Sequence, residues 1–266
     1  LKIAEGREAE VFLREDGRVL KLFRDPAHGD RAEREAAALT VLAAAGVDAP
    51  AAPERVDVDG RPGLVMDRVD GADLLARVGD KPWLVWPAAA VMANAHLAMH
   101  AVEAPRALPQ LNDELRVQIE TAATGPLDQG MADFALRVLS QLPQGDRLCH
   151  GDFHLGNILG TFAAPVIIDW GNASRGDPLA DVARTELLHR YGELPPAAPP
   201  LLRAVAKIGR GIVVSRYRRT YRKRTPVDAA TLKRWAVVRA AARFADGIES
   251  EYEPLTTFLT RARARS

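Results

Sequence analysis

The sequence predicts an α+β fold in which a small N-terminal antiparallel sheet with one helix precedes a larger, mainly helical C-terminal part. Three observations carry this. The turn signals Glu15-Asp16-Gly17 and Asp59-Gly60 each lie between short apolar runs, the pattern of β-hairpins. An alanine-rich run of high helix propensity separates the two hairpins. From Ala72 onward the periodicity is mostly helical. A chain of 266 residues with 47% hydrophobic content can bury a sizeable core. Its formal net charge of +1 gives no global attraction to nucleic acid or to a membrane, so neither is the expected partner. The lone Cys149 excludes an internal disulfide, and no apolar run is long enough to span a bilayer. With no secretory leader pattern either, the cytoplasm is the expected compartment.

In chain order, the first seventy residues read as strand, strand, strand, helix, strand, strand. Strands are expected over 9–14 and 18–23, and a helix over 30–45 with Gly46 as its stop ahead of Pro50 and Pro53. A run ending at Val58 and the run Leu64-Val65-Met66 form the second hairpin. Helices follow at 86–102, 111–124 and 131–142, then from Pro178 with Asp177 as N-cap, and finally over 228–245 and 254–265. Pro195-Pro196-Ala197-Ala198-Pro199-Pro200 reads as an extended connector, and 246–253 as an acidic joint. His96 and His100 share a helix face, but the glutamate that a helical zinc motif places between them is missing, so packed histidines are expected. Residues 203–224 hold nine Lys or Arg and no acid, with Tyr217 and Tyr221 four apart, which reads as a solvated basic helix face.

The chemistry concentrates in His150-Gly151-Asp152-Phe153-His154-Leu155-Gly156-Asn157, followed by Val166-Ile167-Ile168-Asp169-Trp170. Asp152 and Asn157 are five residues apart in one loop, and Asp169 comes twelve residues later at the end of a buried-strand pattern. Phosphoryl transfer needs one carboxylate to orient and deprotonate the attacking hydroxyl, and hard oxygen ligands to hold magnesium on the phosphates. Asp152 suits the first role; Asn157 and Asp169 suit the second. A zinc triplet of His150, Asp152 and His154 is the competing reading, and it leaves Asn157 unexplained.

At these residues the chain resembles the aminoglycoside phosphotransferase family, relatives of choline kinases and more distantly of protein kinases. The resemblance spans nearly the whole chain and implies a two-lobed protein-kinase-like fold, with a nucleotide-binding lobe over 1–66, a hinge over 67–71 and a catalytic, acceptor-binding lobe over 72–266. It implies an enzyme that moves the γ-phosphoryl group of ATP (or GTP), with Mg2+, to a hydroxyl of a small molecule. Carried over residue by residue, Lys21 binds nucleotide phosphates and Glu35 holds it. Glu33 competes for that role, but helical spacing sets the two about 200° apart, so only one faces the sheet. Gly6 marks a phosphate loop over 4–10 that lacks the further glycines of a protein kinase. Asp67 and Val69 read the adenine through backbone groups, with Met66 behind the ring. Asp152 is the catalytic base and His154 its assistant, Asn157 and Asp169 hold the metal, and His150 and Asp181 support the catalytic loop.

Only eleven residues separate Asp169 from Asp181, too few for the segment on which protein kinases dock a peptide. A small acceptor is therefore expected. The acids Asp246, Glu249, Glu251 and Glu253 would line its site if it carries amines, as an aminoglycoside does. Choline, a sugar or homoserine are the alternative acceptors, and a nucleotide-binding regulatory protein without turnover is the alternative function.

Overall fold

The hairpin signals sit where the sheet turns. The computed structural model describes residues 1–192 and 200–265, and opens with β1 (Lys2–Glu5), β2 (Ala9–Leu13) and β3 (Val19–Phe23). Helix α1 (Gly29–Ala44) follows, then β4 (Glu54–Val58) and β5 (Arg61–Met66). These strands form one antiparallel sheet in the order β1-β2-β3-β5-β4. At the second turn Asp59 and Gly60 adopt φ of 54° and 78°, the left-handed pair that a tight hairpin requires and that Asp-Gly tolerates. α1 covers one face of the sheet with Ala38, Leu39 and Leu42 against Val19 and Leu64.

The remainder is mainly helical: α2 (Leu74–Asp80), α3 (Val85–His100), α4 (Leu111–Ala123) and α5 (Gln129–Leu139) lead into a strand-rich insert. There β6 (Arg147–Cys149), β7 (Ile158–Gly160), β8 (Pro165–Ile167) and β9 (Ser174–Gly176) pair as β6 with β9 and β7 with β8. The stretch from His150 to Asn157 is thus suspended between two short ladders. Helices α6 (Pro178–Tyr191), α7 (Pro200–Arg222), α8 (Ala229–Ala242) and α9 (Glu249–Arg263) complete the chain. Asp177 caps α6 by accepting the Leu179 N–H at 2.9 Å, with Pro178 in the first turn. Buried Trp170, Trp235, Tyr217 and Phe153 anchor the core of this part. Among the described residues no helix is long and apolar enough to cross a membrane.

Three expectations need amending. The connector expected over 195–200 lies, through residue 199, outside the described residues, and Pro200 opens α7. The acidic joint is shorter than expected because α9 starts at Glu249 rather than Pro254: Glu249 and Glu251 in the first turn favour the positive end of the helix dipole, and Pro254 falls inside the helix. α2 was not anticipated, although Asp73 caps it by accepting the Ala76 N–H at 2.8 Å.

Candidate active site

Lys21 is central in β3, opposite Val11 on β2 and Leu64 on β5. Strand alternation puts it on the same face as Val19 and Phe23, the face covered by α1. A cation in that apolar stripe requires a partner. On α1 the buried positions Ala32, Glu35, Leu39 and Leu42 recur at helical spacing, so Glu35 lies within the stripe. Lys21 Nζ sits 2.7 Å from Glu35 and 2.6 Å from Asp169. The Glu33 side chain is 67% exposed, against 2% for Glu35, and pairs with Arg55 at 3.6 Å.

Asp169 has φ of 66°, a left-handed conformation uncommon for a residue other than glycine and frequent at functional sites. The next amide, Trp170 N–H, donates to Glu35 at 3.3 Å, so the helix acid grips both the lysine and the turn that presents Asp169. Burial opposes the charge on Lys21, but Glu35 and Asp169 outweigh it and raise its pKa. Lys21 in turn holds Asp169 below the usual carboxylate range, while burial pushes Glu35 up.

The loop of residues 150–157 hangs from α6. Asp181 accepts the His150 N–H at 2.6 Å and the Gly151 N–H at 3.0 Å. Gly151 has φ of 80°, and a Cβ there would come within 2.6 Å of the Asn172 carbonyl oxygen, so this position demands glycine. The His150 ring donates from Nε2 to the Ile168 carbonyl at 3.0 Å and accepts the Asp152 N–H on Nδ1 at 3.2 Å, stitching the loop to the strand that delivers Asp169. Its two nitrogens are thereby occupied, which removes it from any zinc triplet with Asp152 and His154. Asn157 donates its amide N–H to the Asp152 carbonyl at 2.9 Å, which leaves its side-chain oxygen as the group on offer. Together with the Asp169 carboxylate this is a hard-oxygen donor set, and it fits Mg2+.

His154 Nε2 lies 3.7 Å from Asp152 Oδ2, and its Nδ1 accepts the Gly156 N–H at 3.0 Å. Burial would raise the Asp152 pKa, but His154 and the guanidinium of Arg184 hold it well below the usual range. Asp152 is therefore an ionised, proton-accepting group at neutral pH. In the loop between β1 and β2, the Gly6 N–H donates to the Ala9 carbonyl at 2.8 Å. Arg31 of α1 donates to Glu8 in that loop at 2.5 Å and to Asn172 at 3.1 Å, a bridge from loop to helix to the segment after Asp169. Sequence reasoning passed over Arg31 and Asn172, and no local pattern points to them.

Met66 is buried at the end of β5. Asp67 and Val69 line a cavity of about 440 Å³ with Ala49, Pro50, Gly160 and Thr161; Lys21, Asp152 and Asp169 are not among its walls. The acidic stretch requires a correction. Asp246 accepts from Arg184 at 2.9 Å and from Arg243 at 2.5 Å, while Glu251, buried, takes Arg243 through two bonds of 2.7 and 2.8 Å. Those two carboxylates are committed to ion pairs that tie α9 to Arg184, whose Nε donates to the Gly151 carbonyl at 3.2 Å. Glu249 and Glu253 remain exposed.

A family model described as "Phosphotransferase enzyme family" matches residues 1–222. The chain belongs to that family. The membership carries the reaction class, phosphoryl transfer to a small molecule. Solved structures of similar fold include a thermostable mutant of aminoglycoside phosphotransferase APH(4)-Ia, 19% identical with a TM-score of 0.63, covering 98% of this chain and 92% of that one. Aminoglycoside-3'-phosphotransferase of type VIII has a TM-score of 0.63 at 21% identity, covering 90% of each chain. Amicoumacin kinase hAmiN, in complex with AMP-PNP, Ca2+ and Ami, has a TM-score of 0.61 at 14% identity, covering 100% of this chain and 88% of that one. No curated protein sequence matches this phosphotransferase.

Proposed function

We propose that this phosphotransferase moves the γ-phosphoryl group of ATP, with Mg2+, to a hydroxyl of a small polar acceptor bound beside Asp152. The observation that carries the reading is the meeting of Lys21, from the sheet, with Asp169, from the helical part, at 2.6 Å beside the loop that bears Asp152 and Asn157. Lys21, anchored by Glu35, would bind nucleotide phosphates, and the loop at Gly6 would cover them. Asn157 and Asp169 would hold the metal, which when bound supplies charge neutralisation on the phosphates. Asp152 would accept the hydrogen bond of the acceptor hydroxyl and take its proton on a carboxylate oxygen as the new bond forms. His154 Nε2, 3.7 Å away, would steady that carboxylate.

An amine-bearing polyol is the acceptor favoured, on the carboxylate of Asp152, since Asp246 and Glu251 are taken by ion pairs. Calorimetric titration with ATP and GTP, with and without Mg2+, tests the nucleotide site; metal-independent binding, or none, would sink it. An ATP-consumption screen over aminoglycosides, amino sugars, neutral sugars, choline and sugar phosphates tests the acceptor. Turnover confined to sugar phosphates would refute an amine-bearing acceptor.

A further inference from the structure

Two residue pairs that the proposed reaction does not use meet behind the catalytic loop. His96 and His100, one turn apart on α3, face Tyr217 and Tyr221, one turn apart on α7, in matching register. His96 Nδ1 is 2.5 Å from the Tyr217 hydroxyl and His100 Nδ1 is 2.8 Å from the Tyr221 hydroxyl. Their Nε2 atoms lie 3.2 and 3.4 Å from the same oxygen, Oδ2 of Asp181. All five side chains are buried.

Proton accounting decides the arrangement. An ionised carboxylate only accepts, so both imidazoles must present Nε2–H to Asp181. A neutral imidazole has one N–H, so each Nδ1 is then an acceptor, and each tyrosine has one O–H to give it. Every donor finds one acceptor, with none left over. Burial lowers the His96 pKa to about 3, so its ring is neutral, as this pattern requires. The ligand-capable atoms of His96, His100 and Asp181 lie within 4.8 Å of one another, a spacing that would also suit a metal ion. A metal would need the opposite tautomers, and Asp181 Oδ2 already accepts the His150 amide at 2.6 Å.

We propose that the Tyr217–His96 and Tyr221–His100 pairs brace the catalytic loop: by fixing two N–H donors on Asp181 they orient the carboxylate that holds the His150 and Gly151 amides, and so position Asp152. His96 and His100 are then positioning residues, and α7 sets the loop through them. The link to Asp152 rests on the proposed phosphoryl transfer, whereas the brace itself does not.

Imidazole ¹⁵N–¹H correlation spectra of the labelled full chain should report the Nε2–H tautomer at His96 and His100. The Nδ1–H tautomer at both, or one equivalent of zinc surviving chelator dialysis, would overturn the brace in favour of a metal site. Tyr217→Phe, Tyr221→Phe and the double variant should speed amide exchange in segment 147–157 by about tenfold per bond lost, while the sheet and α8 keep their protection. Exchange that rises uniformly across the chain, or stays unchanged in that segment, would reject positioning. With MgATP alone, the rate of hydrolysis at saturation should fall in the double variant with KM for MgATP unchanged. His96→Gln, which retains an N–H for Asp181, should keep more of that rate than His96→Met; equal losses would count against the brace. If the wild-type chain neither binds nor hydrolyses ATP, the functional reading fails, and the tautomer and exchange results still decide the brace.

Discussion

Two carboxylate clusters, one open to solvent and one closed, adjoin the loop of residues 150–157 and are satisfied in opposite ways. At Lys21, one cation is shared by Glu35 and Asp169, which leaves an excess of negative charge and an Asp169 side chain still 47% exposed. At Asp181, a carboxylate with no exposure is surrounded by donors from His150, Gly151, His96 and His100, with Arg239 at 3.9 Å. Burial alone would raise the Asp181 pKa, yet the histidine hydrogen bonds hold it well below the usual range. The contrast separates a cluster open to ligands from one closed on itself. A cluster with unmet negative charge that solvent can reach invites a cation, while a buried carboxylate that accepts two backbone amides and two imidazoles serves to hold the backbone.

The largest effect is expected at the residue suspended between the two clusters. Asp152→Ala should lower acceptor turnover by about 10²–10⁴, the usual worth of a general base, with nucleotide affinity by calorimetry unchanged. Turnover near wild type would remove Asp152 from the chemistry.

Lys21→Ala should weaken nucleotide binding on the order of ten- to a hundredfold, the worth of charge-assisted hydrogen bonds to phosphate. It should also strand Glu35, whose folded-state pKa is already raised. A raised carboxylate stabilises the fold at pH below its unfolded pKa and loses that contribution as pH rises through the folded value. Relative to wild type, urea unfolding of this variant should therefore show a smaller loss of stability on mild acidification, and an equal or larger loss would contradict the charge imbalance assigned to this cluster.

The Asp181 cluster should respond to acid with the opposite sign. His96 has a folded pKa of about 3, against about 6.5 when unfolded, so between these values the unfolded chain binds a proton that the native chain refuses. Wild-type stability should decline as pH falls through that window. Burial lowers His150 and His189 in the same direction, so His96→Gln should flatten only part of the slope, measured by unfolding midpoints between pH 4 and 7. An unchanged slope would mean that His96 is protonated in the native state.

The smallest effect belongs outside both clusters. Glu33→Ala, two residues from Glu35 but solvent-exposed, should shift stability by no more than about 0.5 kcal/mol and leave nucleotide binding unaltered. A loss comparable to Glu35→Ala would reverse the assignment of the lysine's partner.

What the sequence determined by itself was whatever is written in contiguous residues. The loop from His150 to Asn157 and the strand exit at Asp169 carry their chemistry within one short stretch. The turns at Gly17 and Asp59-Gly60, the stop at Gly46 and the cap at Asp177 follow from local backbone preference alone. Lys21 was legible because a lone cation in an apolar strand demands a partner. The stripe Ala32, Glu35, Leu39, Leu42 would have selected Glu35 over Glu33 without any family register. Tertiary structure alone decided how distant charges were matched. By sequence Asp246 and Glu251 are acids that would line an acceptor site, yet Arg184 and Arg243 pair with them; the basic run around Arg218 reads as solvated, yet Arg218 pairs with Glu186. His96 and Tyr217 are 121 residues apart, and neither reveals the other. Burial makes an unpaired charge costly, so the fold sets these charged groups against partners, and which partner depends on how helices cross rather than on neighbouring residues in the chain.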